Sequence, residues 1–320
     1  MIVAGKGGTG RTTISAALSL VAAHHGKRVL SIDVDAKGDL ARALGSRTAS
    51  FSPRVVQKNI SVLAFDPEES LLEYLGVYFK VPRATRLTPF ARVLEFIATS
   101  VPGPRDLLTI GKIAYEERMR DRNGAPRWDI VIVDGPATGH LIPQLTAARE
   151  MLRLAPGGVM RGQIEWIEES LADHRRTALA LCAIPEEMPV TEAIELHDRV
   201  RRQTAVAVAV CFLNRWLPFS LTSVQQRLAQ EITGEAHCES VGSRLGGPPP
   251  AIRDAIFLAQ KLHRKAEIHA AHLRTELKVP IVNVPLQSGN PGLATARGVA
   301  SALETSDDAA AIAKKQARAG

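Results

Sequence analysis

Apolar positions along this chain follow two rhythms: short unbroken aliphatic runs, and longer stretches with an apolar residue every three or four positions. The runs at 1–4 (Met-Ile-Val-Ala), 28–33 (Arg-Val-Leu-Ser-Ile-Asp) and 59–65 read as strands buried on both faces. Residues 12–25, rich in Ala and Leu and followed by Gly26, read as a helix closed by a glycine stop. Strand, glycine loop, helix and strand in that order open a doubly wound sheet.

The alternation then pauses. Residues 68–80, 90–100 and 104–121 all carry the helical period, with Pro and Gly between them and no strand pattern. It resumes with the run 128–134 (Trp-Asp-Ile-Val-Ile-Val-Asp), an aliphatic strand ending in an acid. Helices are expected at 141–154, 161–174 and 191–202, strands at 177–184 and 205–213, a long polar helix at 250–277 and a last strand at 279–284. The expected class is α/β: a doubly wound, mostly parallel sheet with a helical insertion. Residues 1–305 are expected to form one domain, with the insertion at about 66–125 and 141–174. The tail 306–320 has no core face and is expected to be disordered.

Composition narrows the class. Hydrophobic residues make up 45% and aromatics only 4%, so the core must be aliphatic, as a helix-covered parallel sheet requires. The net charge of +7 raises nucleic acid and anionic membrane as partners. Basic residues are spread along the chain, however, often beside acids at helical spacing as in Glu116-Glu117-Arg118-Met119-Arg120-Asp121, which describes solvated helix faces. No specific nucleic acid is expected. Cys182, Cys211 and Cys238 form no C-x-x-C, an odd and sparse set that suits a reducing compartment. No apolar run approaches a membrane span, and Met1 leads straight into a strand, so the expected location is cytoplasmic.

The chemistry concentrates at Gly5-Lys6-Gly7-Gly8-Thr9-Gly10-Arg11-Thr12-Thr13. Glycines between a strand and a helix let backbone N–H groups close around phosphates, and the helix N-terminus adds a positive dipole end. The segment matches the P-loop pattern G-x-x-x-x-G-K-[ST] except that Arg11 stands where lysine is usual, and Thr12 supplies a hydroxyl for Mg²⁺. ATP with Mg²⁺ is the expected ligand. Lys6, just inside the first glycine, marks the deviant form of this loop. Asp33-Val34-Asp35 closes the second strand on the side where open α/β sheets bind ligands. Asp134 follows a strand and precedes Gly135-Pro136-Ala137-Thr138-Gly139-His140, the position of a carboxylate that reaches Mg²⁺ through its water shell. Asn214, at the end of another strand, carries an amide able to make a bidentate contact to adenine.

These motifs resemble those of the deviant-Walker ATPases, and the run from Asp134 to His140 narrows the likeness. It is similar to the D-[TS]-[AP]-P-T-G-H element of the arsenical pump-driving (ArsA) and tail-anchored-protein targeting (GET) ATPases. Val101-Pro-Gly-Pro-Arg-Asp106, Cys182-Ala-Ile-Pro-Glu-Glu187 with Glu192, and Phe212-Leu-Asn-Arg-Trp-Leu-Pro218 are similar to further segments of that family. The likeness covers about residues 1–305. It implies a nucleotide-sandwich dimer, homomeric or paired with a related ATPase subunit, in which Lys6 reaches the partner's phosphates. It also implies Asp35 as the water-orienting acid, Asp134 in the second switch, Asn214 at the adenine edge, and a peripheral membrane or membrane-protein client.

Four departures qualify that picture. The cysteines do not fit the family's metalloid-site positions, no C-x-x-C offers a shared zinc, and with five Met no helix carries a Met stripe for a client. Arg11 presents a longer, planar fork where lysine presents a point charge, so binding is expected to survive and hydrolysis to slow. The readings that follow are a slow switch ATPase, a nucleotide-gated subunit that turns over little or nothing, and a DNA-partitioning ATPase. The insertion and the Thr138-Gly139-His140 element count against the last.

Overall fold

The computed structural model describes residues 1–80, 102–154, 158–217, 219, 222–225, 227 and 249–306. The helix expected at 90–100, the tail beyond 306 and Cys238 lie outside these residues.

In chain order the elements are β1 (Ile2–Gly5), α1 (Arg11–His24), β2 (Val29–Asp33), α2 (Asp39–Ala43), β3 (Arg54–Gln57), β4 (Ile60–Ala64), α3 (Pro67–Phe79) and α4 (Pro102–Arg118). There follow β5 (Ile130–Ala137), α5 (Thr138–Leu154), α6 (Gly158–Ala172), β6 (Ala178–Ala183), α7 (Glu187–Gln203), β7 (Ala207–Trp216), α8 (Pro249–Glu276), β8 (Ile281–Pro285) and α9 (Leu293–Thr305). The strands form one eight-stranded sheet in the order β3-β4-β2-β5-β1-β6-β7-β8. Only the β3–β4 pair is antiparallel. The chain is therefore α/β with a doubly wound, mostly parallel sheet, and β1 at its centre carries the glycine loop at its C-terminal end.

Alternation along the strands feeds two core layers. Ile2 and Ala4 of β1, with Leu30 and Ile32 of β2, pack into a cluster with residues of α4–α8, among them Ile110, Leu145, Ile164, Leu196 and Leu273. Val3 and Val29 face the other way, into a cluster with Ile14 of α1, Leu40 of α2 and Val299 of α9. Small residues on α1 let it lie close to the sheet. Its buried Ser19 accepts no vacancy there: the hydroxyl shares a 2.8 Å hydrogen bond with Ser31 of β2. Gly26 ends the helix with φ +76, the left-handed turn a glycine stop provides. Asp66 caps α3 by accepting from the Glu69 amide at 2.8 Å, with Pro67 at the first helical position.

Several expected boundaries move. β5 continues past Asp134 to Ala137 because Gly5 of β1 pairs with Ala137, so Asp134 lies within the strand rather than at its end. α5 begins at Thr138 for the same reason. β7 runs to Trp216, which puts Asn214 inside it. α2, β3 and α9 were not among the expected elements. α9 buries Ala296, Val299, Ala300 and Leu303, an i, i+3, i+4, i+7 stripe that is present in the sequence.

Candidate nucleotide site

The glycine loop is held from below. Thr9, buried, turns its hydroxyl back onto the Lys6 carbonyl at 2.8 Å. The Thr9 carbonyl in turn accepts from the Asn214 amide at 2.8 Å and from the Cys182 thiol at 3.3 Å. Above, the loop is open. Among the described residues nothing lies within 4 Å of where a Cβ would stand on Gly7 or Gly8, and Gly8 and Gly10 have φ +86 and +91, where any side chain would be strained. Gly10 also precedes α1 directly, with no side chain capping the first turn and no acid in it. The N–H groups of that turn are therefore left for an anion.

Opposite the loop, strand register brings the acids together. Asp33 at the end of β2 pairs with Asp134 of β5. Thr12 donates its hydroxyl to Asp134 at 2.7 Å, and Ser15, one helical turn on, donates to the other carboxylate oxygen at 3.2 Å. Burial pushes the Asp134 carboxyl up to about 6, against the Thr12 hydrogen bond and the nearby Arg11 charge, which pull it down. Asp33 is buried and raised for the same first reason, but it accepts from the amides of Ala36 (2.9 Å) and Gly38 (3.0 Å). It folds the loop that carries Asp35. Asp35 itself is exposed above that loop, 3.6 Å from Lys37.

Two cations sit in arrangements that the sequence did not foretell. Lys6 forms an ion pair with Glu192 of α7, and the other oxygen of Glu192 accepts from Thr138 at 3.3 Å. Arg11 donates to the backbone carbonyl of Gly135 rather than standing over the open loop. The residues 5–13, Asp33, Asp35, Asp134 and Asn214 thus meet at one end of the sheet. The pairing of Glu192 with Lys6, the contact of Ser15 and the anchoring role of Asp33 were not foreseen. The Asp-to-Gly spacing from 33 to 38 and the helical step from Thr12 to Ser15 were the available signals for two of them.

The family model for anion-transporting ATPases matches residues 1–155. The ATPase BagA of Mycobacterium tuberculosis is 30% identical over 301 residues, which cover 90% of this chain and 87% of that protein. The chain belongs to the ArsA/GET family of ATPases. More distant relatives of this family are the arsenical pump-driving ATPase of Escherichia coli, 26% identical over 216 residues (61% of this chain, 36% of the relative). The ATPase get3 of Schizosaccharomyces japonicus is 27% identical over 144 residues (44% of this chain, 41% of the relative).

Family ATPases use a nucleotide, and the donor set here suits it. The open glycine cradle and uncapped helix start fit a polyphosphate, while one hydroxyl and one carboxylate, Thr12 and Asp134, suit a hard cation that keeps most of its ligands as water and phosphate. No group of three or more His, Cys, Asp or Glu that could hold a metal occurs among the described residues. Cys182 and Cys211 are buried, and burial raises both thiols, Cys182 to about 12. They pack as small hydrophobes. No described helix is long and apolar enough to cross a membrane.

Proposed function

We propose that this chain is a dimer-forming switch ATPase of the ArsA/GET family that binds ATP–Mg²⁺ at residues 5–13 and hydrolyses it slowly. The observation that carries the reading is the Thr12–Asp134 hydrogen bond beneath an open, uncapped glycine cradle. Residues 1–305 act as one unit in this reading, located in the cytoplasm.

The backbone N–H groups of residues 7, 8 and 10–13 hold the phosphates, and Asn214 serves the adenine. One of its amide N–H groups is taken by Thr9, which leaves a second N–H and the carbonyl for the base. Thr12 and Asp134 would hold Mg²⁺, which when bound neutralises charge on the β- and γ-phosphates. Asp35 orients the attacking water, and Arg11 stabilises charge on the phosphoryl group. Lys6 leaves Glu192 to reach the partner protomer's phosphates, so that nucleotide state sets dimer geometry and acts on a protein or membrane client.

A second reading is supported by the Arg11–Gly135 contact. A guanidinium committed to a backbone carbonyl is not available to the phosphoryl group, as expected of a weakly catalytic subunit paired with a related ATPase. The test common to both is a melting experiment on purified, folded protein. Saturating ATP–Mg²⁺ should raise the melting temperature by mass action, by about 2.7 kcal/mol of stability at a hundredfold excess over the dissociation constant. No shift at any nucleotide concentration would refute the nucleotide site.

A further inference from the structure

The peptide between Thr9 and Gly10 is gripped from one side. Its carbonyl accepts from Asn214 Nδ2 of β7 at 2.8 Å and from the Cys182 thiol of β6 at 3.3 Å. A trans peptide is planar, and its C=O and N–H point in opposite directions. With the Thr9 carbonyl turned onto β6 and β7, the Gly10 N–H therefore points away from those strands. Among the described residues it meets no acceptor. That leaves it for an anion seated over the loop and the start of α1.

Little else sets that orientation. The turn before this peptide is closed by the Lys6 carbonyl, which accepts from the Thr9 N–H at 3.3 Å and from the Thr9 hydroxyl at 2.8 Å. The helix after it begins with the Gly10 carbonyl accepting from Ile14 at 3.0 Å. Neither contact involves the Thr9–Gly10 peptide itself, and glycine leaves the backbone free to turn there. Of the two donors that do grip it, the amide of Asn214 is the stronger, since a thiol donates weakly. Asn214 is buried and seated tightly: a Cβ on Gly10 would fall 2.2 Å from its Nδ2. If the peptide turned over, its carbonyl oxygen would face the phosphates, and Asn214 would keep a buried N–H without an acceptor.

We infer that Asn214 is a positioning residue for the phosphate cradle: by holding the Thr9 carbonyl it presents the Gly10 N–H to a polyphosphate, whatever base that polyphosphate carries. The inference rests on the nucleotide reading above and gives Asn214 a role beside its contact with adenine. The two roles separate by ligand. A contact with the base contributes only to adenine nucleotides, whereas an oriented Gly10 N–H contributes to every ligand that places a phosphate over the loop.

The test titrates ATP, GTP and inorganic tripolyphosphate, each with Mg²⁺, calorimetrically into the full chain. Asn214→Ala should weaken tripolyphosphate and GTP by about three- to tenfold, the range expected when one hydrogen bond is lost, and ATP by at least as much. Asn214→Thr has a similar volume and suits a strand, yet its short side chain withdraws the donor from the Thr9 carbonyl, so it should show the same losses. Circular dichroism and melting establish that each variant is folded. A variant that only destabilised the fold would bind all three ligands as the wild type does once folded. Losses confined to ATP would leave Asn214 a reader of adenine alone and overturn the inference while the nucleotide site stands. Affinities unchanged in both variants would overturn it too. A wild-type chain that bound neither ATP nor tripolyphosphate would refute the nucleotide site itself, and this inference with it.

Discussion

Replacing Arg11 by lysine should make this ATPase faster. Arg11 donates to the Gly135 carbonyl, one residue beyond Asp134, and so ties the start of α1 to β5. A hydrogen bond from a charged donor is worth about 1.5–3 kcal/mol. Turning the guanidinium toward the γ-phosphate forfeits that amount, so the arrangement competent for hydrolysis is depleted about ten- to hundredfold. Lysine is shorter and lacks the planar fork, and its compact charge is freed to face the phosphoryl group. In single-turnover assays Arg11→Lys should therefore hydrolyse ATP about ten- to hundredfold faster than wild type. ATP affinity, set mainly by the backbone cradle, should change by less than about threefold, since one charged contact is exchanged for another. Asp35→Asn in either background should remove hydrolysis and leave ATP bound. An unchanged rate in Arg11→Lys, with Asp35→Asn equally silent, would mean that the chain does not hydrolyse ATP itself and would favour the weakly catalytic subunit.

The Asp134 carboxyl stands at about 6 in the folded protein, so ionising it costs stability that is absent below about pH 4 and complete above pH 6. In nucleotide- and metal-free protein, Asp134→Asn should raise stability at pH 7.5 by on the order of 2–3 kcal/mol, with the gain vanishing at pH 4; melts at both values decide it, and an equal gain at both would exclude a titrating Asp134 as the cause. Lys6→Ala should keep near-wild-type ADP affinity while weakening ATP-dependent association, and Glu192→Gln, by freeing Lys6, should strengthen that association. Sedimentation with ATP and ADP separates these results from a purely local role, in which both nucleotides would suffer alike. Duplex DNA should bind weakly, at roughly 10⁻⁴–10⁻⁶ M and steeply salt-dependent, and tight ATP-dependent binding at physiological salt would revive the partitioning reading.

What could be known from the chain alone was whatever a local run of residues specifies. Aliphatic runs located β1, β2 and β5, because a strand buried on both faces must be apolar throughout. The glycine loop was readable because the geometry of a phosphate cradle is encoded in consecutive residues, and the run 134–140 because an acid closing an aliphatic run precedes a glycine-bearing segment with a family likeness. Tertiary structure decided everything that depends on which distant segments meet. Register between β2 and β5, not either sequence, sets Asp33 beside Asp134. Pairing of Gly5 with Ala137 carries β5 past the acid that had looked like its end. The partners of the two loop cations could not be inferred, since Glu192 lies 186 residues from Lys6 and the acceptor of Arg11 is a backbone carbonyl that no side chain announces. α9 carries a helical stripe of its own, Ala296, Val299, Ala300 and Leu303, but only the tertiary structure sets that stripe in the core layer it shares with α1.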